Sequence, residues 1–207
     1  MRISTRVSSK RDRHASWRRS ARYPPCVIAD LIVLGIDPGT AVTGYGVVHR
    51  ARDGLLTLVE CGVIRTSSRA PLPDRLREIY EGVGELVERH APTTVAVEDV
   101  FYGKNVRTAV VLGHARGAIM VAASLRDVAV AEYPASEVKS AVVGAGRATK
   151  DQVAFMVQRL LRLRAAPKPH DAADGVAVAL CHHFRGSPAA AGRRVVAGVA
   201  PLRRAAP

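Results

Sequence analysis

The chain has 207 residues, 48% of them hydrophobic and only 4% aromatic. That is enough for one domain of ordinary size, with a core of Val, Leu, Ile and Ala. No apolar run approaches the roughly 18–20 residues of a membrane helix. The three cysteines, Cys26, Cys61 and Cys181, lack metal-type spacing and are too sparse for a disulfide framework, which fits a reducing, cytoplasmic compartment. The net charge of +13 is concentrated at the ends: residues 1–30 carry +6, residues 186–207 carry +4, and the middle only +3. Basic ends raise non-specific affinity for nucleic acid but specify no activity.

Residues 1–30 show no periodicity and contain Pro24-Pro25; they read as a basic disordered extension. A transit peptide and a start codon placed too far upstream are equal alternatives for this segment. The fold is expected to begin at LIVLGIDPGT, residues 31–40, a continuous apolar run that reads as a strand buried on both faces. Thr43 to Arg50 reads as a second strand, and Asp53-Gly54 is a hairpin signal. Leu55 to Thr66 reads as a third strand, with Leu56, Leu58, Glu60, Gly62 and Ile64 on one face. Leu72, Leu76, Ile79, Tyr80, Val83, Leu86 and Val87 recur at helical spacing up to His90. Thr93 to Asp99 is another buried strand. Asn105 to Leu125 is a long Ala- and Val-rich helix with Gly113 and Gly117 spaced by four. Val128 to Tyr133 is a short strand, Pro134 starts a helix to about Val142, and Thr149 caps a helix over 150–162. Asp171 opens the last helix. From Gly186 the chain is Ala, Pro, Gly and Arg, a disordered tail. The order predicts an α/β domain over 31–185, a mixed five-stranded sheet with helices on its faces.

Four carboxylates stand out by position. Asp37 ends the first strand and Glu98 the fourth; Asp171 and Asp174 lie three apart on one face of the last helix. If strands one and four are parallel neighbours, Asp37 and Glu98 end side by side. Acids so placed would repel and raise one another's pKa, and a divalent cation would relieve this. All-oxygen ligands favour Mg²⁺ or Mn²⁺ over zinc. Two such ions about 3.5–4 Å apart would suit phosphodiester hydrolysis. The bland readings are turn chemistry for Asp37-Pro38-Gly39 and dipole compensation for Asp171 and Asp174. Asp99, next to Glu98, should face the other side of its strand, and His170 is by default a loop histidine in solvent.

With these residues in place, the chain resembles the RuvC-type Holliday junction resolvases of the ribonuclease-H-like superfamily. The motifs are GIDPGTAVTGYGVV (35–48), PLPDRLREIYEGV (71–83), VEDVFYGKNVRTAVVLGHARG (97–117), EYPASEVKSAVVGAG (132–146) and HDAADGVAVALCH (170–182). The resemblance implies a ribonuclease-H-like fold and a Mg²⁺-dependent homodimeric endonuclease that nicks opposed strands of a four-way DNA junction symmetrically, with two ions per subunit. It maps the four family acids onto Asp37, Glu98, Asp171 and Asp174. It implies that Phe101 stacks on an unpaired base, a contact worth roughly 1–3 kcal/mol. Lys104, Arg107, Lys139, Arg147 and Lys150 would contact phosphates, with Lys139 and Lys150 at positions where the family carries Lys. A branch-migration motor of the RuvA and RuvB type would be the partner. Asp99 departs from the family's usual Gln, and residues 1–30 and the tail depart from its compact pattern.

Two other classes compete. LGIDPGT is also similar to the first phosphate loop of sugar kinases and actin-like ATPases, but those need two such domains and a second Gly-rich loop, which this chain lacks. A non-catalytic nucleic-acid binder would use the basic ends, but it gains nothing from four converging acids beside phosphates.

Overall fold

The computed structural model describes residues 30–99 and 106–186. Five strands, β1 (Leu31–Asp37), β2 (Val42–Arg50), β3 (Leu56–Arg65), β4 (Thr94–Asp99) and β5 (Ala129–Pro134), form one sheet in the order β3-β2-β1-β4-β5. The first three are an antiparallel meander, while β4 and β5 run parallel to β1. Five helices complete the described residues: α1 (Leu72–His90), α2 (Val106–Ser124), α3 (Ala135–Val143), α4 (Lys150–Leu160) and α5 (His170–Arg185). This is the mixed, helix-flanked sheet that the element order predicts.

Alternation along the strands divides the core in two. Leu34, Ile36, Val47, Val95 and Val97 pack under α1 and α2 with Ile79, Val83 and Ile119. Val33, Val48 and Ala96 face the other way, toward Val176 to Cys181 of α5 and Val138, Val153 and Val157 of α3 and α4. A fully buried aliphatic side chain contributes about 1.5–3 kcal/mol, so both faces are strongly held. Helix α1 behaves as its spacing predicts and stops at Ala91, a left-handed cap (φ 42°) before Pro92.

One reading needs correction, and two helices are placed more closely than their spacing shows. Strand β3 does not keep one alternation throughout. Val47 pairs with Glu60 and Val48 with Leu58, leaving Val59 as an extra, 50% exposed bulge residue. Leu56 and Leu58 therefore pack with α5, while Ile64 lies on the α1 side. Helix α5 is buried on nearly every side. Ala172, Ala173 and every residue from Gly175 to Cys181 are buried, because the sheet covers one side and α3 and α4 the others. Helix α2 is the one helix among the described residues long and apolar enough, by composition, to cross a membrane. It is instead a layer of the domain, packed on α1 and β5 through Ala115, Ile119, Ala122 and Ala123.

The seating of α5 positions the site. Gly35, Gly44 and Gly46 present bare backbone to it, and Gly175 returns a bare helix surface to Tyr45. A Cβ at Gly35 would overlap the backbone of Gly175 and Ala179; one at Gly44 would overlap that of Asp171. Only residues without side chains permit this approach, and it brings the first turn of α5 against the end of the meander.

Candidate metal centre

The site follows from strand parity and helix seating. The β1–β4 ladder ends at Ile36 opposite Val97, so Asp37 and Glu98 follow at adjacent strand ends. Both have the parity of Gly35 and Ala96, which face α5. Asp171 and Asp174 lie in the first two turns of α5. One carboxylate oxygen from each of Asp37, Asp171 and Asp174 can be chosen so that all three lie within 4.8 Å of one another. Glu98 is not in that group of three, but its charge is coupled to Asp37 and Asp174.

Burial above all, then the Asp174 carboxylate, pushes Asp37 up to about 6; Asp171 adds to the rise and Lys150 opposes it. Burial again leads at Glu98, followed by Asp37 and Asp174, raising it to about 7 against the pull of Lys139 and Lys150. These shifts are those of an acidic pocket with too little positive charge. Three carboxylates from two elements form a hard, all-oxygen donor set, which fits Mg²⁺ or Mn²⁺ and not a zinc site.

The preceding loop is tied down at the site's edge. The buried Thr43 hydroxyl donates to the Gly39 carbonyl at 2.6 Å. Asp99 turns away, as its parity requires: its Oδ1 lies 2.9 Å from Arg116 Nη1 on α2. The same guanidinium also binds Glu132. Asp99 therefore belongs to a clamp between α2 and the sheet. His170 is exposed and outside the group of three.

The basic residues divide. Lys139 stands close enough to lower the Glu98 pKa. Arg147 is exposed between α3 and α4, and Arg107 is exposed in the first turn of α2. Lys150 is already engaged, its Nζ 2.6 Å from Asp174 Oδ2. Phe101 and Lys104 lie outside the described residues. Sequence reasoning missed the Lys150–Asp174 pair and the Arg116 clamp, since each joins residues brought together only by the fold. The alternating glycines Gly44 and Gly46 were an available signal for the close approach of α5.

A family model described as crossover junction endodeoxyribonuclease RuvC matches residues 33–182. The crossover junction endodeoxyribonuclease RuvC of Pelotomaculum thermopropionicum is 47% identical over 152 residues, covering 73% of this chain and 92% of that protein. The structure of Thermus thermophilus RuvC superposes with a TM-score of 0.69 at 40% identity, covering 74% of this chain and 94% of that one. A second structure, T. thermophilus RuvC in complex with a Holliday junction substrate, gives a TM-score of 0.68 at 36% identity, with the same coverage. The chain belongs to the RuvC crossover junction endodeoxyribonuclease family.

Proposed function

We propose that the protein resolves four-way DNA junctions by paired, metal-dependent phosphodiester hydrolysis, and that residues 31–185 carry this activity, with 1–30 and 186–207 as basic appendages. The observation that carries the reading is the convergence of Asp37, Asp171 and Asp174, with Glu98 coupled to them, in a chain whose relatives cut crossover junctions. Asp37, Asp171 and Asp174 are the ligands we assign to Mg²⁺, with Glu98 completing the set for two ions. A divalent cation held by these residues would supply the charge that ionises an attacking water and offsets the developing charge on the leaving oxygen. The protein's own part is to hold hard oxygen ligands in a half-buried pocket, where each charge acts more strongly than in water.

Around this pocket Lys139, Lys150 and Arg147, with Arg107 and Lys104, offer cations to the phosphate backbone, which positions the junction without reading its sequence. Phe101 is assigned to stacking on a base at the crossover. A homodimer matches a two-fold substrate, and α2 supports it: Val106, Val110 and Val121 are 74%, 53% and 49% exposed. Gly113 and Gly117 lie on the same stripe with open space before them. A branch-migration motor of the RuvA and RuvB type is the assigned partner. Free Cys61 and Cys181 are in keeping with a cytoplasmic setting.

The test is cleavage of a synthetic mobile four-way junction, with Mg²⁺ and with EDTA, beside linear duplex and an RNA–DNA hybrid. Paired nicks on opposed strands of the junction, only with Mg²⁺ and lost in Asp37→Asn while binding persists, are expected. Binding without cutting under any metal would place the chain among non-catalytic binders, and full cleavage by Asp37→Asn would remove the assigned centre.

A further inference from the structure

We infer that Lys150 is the resident counter-ion of the acidic pocket, and that a divalent cation entering the pocket must work against its ion pair with Asp174. The inference rests on the reading of Asp37, Asp171 and Asp174 as the metal ligands. Its basis is the position of the ammonium: Lys150 Nζ donates to Asp174 Oδ2 at 2.6 Å, and Asp174 is one of the three aspartates that come together.

Two further observations set this lysine apart from an ordinary surface charge. It occupies the first position of α4, where the helix dipole disfavours a cation. The backbone there is held by a reciprocal capping box, with Thr149 Oγ1 accepting from Gln152 N and Gln152 Oε1 accepting from Thr149 N. So a rigid helix start aims a locally unfavourable charge at the aspartates. A rule broken locally is offset elsewhere, and the offset here is the acidic pocket. The two partners also differ in exposure, 63% for the Lys150 side chain against 15% for Asp174. The lysine can therefore swing outward on its flexible stem, while the carboxylate stays in place.

Two consequences follow. Without a cation, Lys150 relieves part of the repulsion among the acids and stabilises the fold. When a cation loads, repulsion between like charges weakens the Lys150–Asp174 pair and releases the ammonium toward the rim, where a phosphate can take it. Loading of the ion and readiness to hold DNA are thereby coupled through one side chain.

The experiment uses the full chain without DNA and Mn²⁺ alone as the probe. Free Mn²⁺ is followed by electron paramagnetic resonance, and thermal melting is measured in EDTA. The proteins are the parent, Lys150→Met, Lys150→Gln, Lys150→Arg and Asp37→Asn. Both neutral variants are expected to bind Mn²⁺ about tenfold more tightly than the parent, because a like charge a few ångströms away is removed. They should also melt lower in EDTA, with Lys150→Arg close to the parent in both respects. A lysine with a purely structural role would move only the melting temperature, and one that only contacts phosphate would move neither. Unchanged or weaker Mn²⁺ affinity in both neutral variants, with binding lost in Asp37→Asn, overturns the counter-ion role and leaves the metal site standing. Full Mn²⁺ affinity in Asp37→Asn overturns the site assignment itself, and the inference falls with it.

Discussion

Replacing Asp37 by Asn should make the metal-free protein more stable while abolishing cleavage. Asn keeps the size of the side chain and one oxygen, and removes the charge. Asp37 titrates at about 6 against an ordinary value of 3.8. At 1.36 kcal/mol per pK unit, its ionised form in the fold lies about 3 kcal/mol above a solvated carboxylate. Some of that relief is lost to an imperfectly bonded amide, so the expected gain is about 1–3 kcal/mol near pH 7.5. The sign of the pH dependence follows. Between about pH 4 and 6 the folded parent holds a proton at Asp37 that the unfolded chain has released, so the stability of the parent falls as pH rises through that window. Glu98, raised to about 7, extends the fall upward. The variant should show a shallower fall, both because Asp37 no longer titrates and because Glu98 loses its largest charged neighbour. Urea denaturation in EDTA at about pH 5 and 7.5 measures both effects. Mg²⁺ should then stabilise the parent and leave the variant unmoved, since a ligand stabilises only the fold that binds it. An Asn variant no more stable than the parent near pH 7.5, or a parent whose stability is flat between the two pH values, would refute the account of an undercompensated acidic pocket.

Two further substitutions test the frame that carries the site. Gly35→Val places a side chain into the backbone of Gly175 and Ala179 and should cost at least about 3 kcal/mol in urea; a loss under about 1 kcal/mol would mean that α5 does not seat as described. Gly113→Arg meets open space and replaces a poor helix former, so the melting temperature of the monomer should hold or rise slightly, helix propensity improving by somewhat under about 1 kcal/mol. If the parent forms the proposed dimer, sedimentation should show it lost in this variant, and a dimer that survives would move the interface away from α2.

What could be read in the sequence was whatever depends on parity and period. Buried strands alternate faces, so Glu98 and Asp99 had to point oppositely, and the structure sends one toward α5 and the other to Arg116. Asp171 and Asp174 share a helix face because three residues make nearly one turn. Parallel pairing of β1 with β4 then brings the strand acids together without any loop having to be known. The bulge at Val59 was not legible, because it is a property of the pairing between β2 and β3 and neither strand alone carries it. Lys150 was legible as a basic residue at a helix start, but not as the partner of Asp174, 24 residues away. That distance is closed by the α4–α5 connection, whose course obeys no period. The two kinds of residue differ in function as well. On the proposed reading the carboxylates keep one geometry through turnover, and they are placed by sheet and helix backbone. On the counter-ion inference the lysine lets go when the cation arrives, and it hangs from a helix end by a flexible stem. On this reading, the charges on short side chains close to the sheet and α5 are those that stay, and the charge on a long stem at the start of α4 is the one that moves.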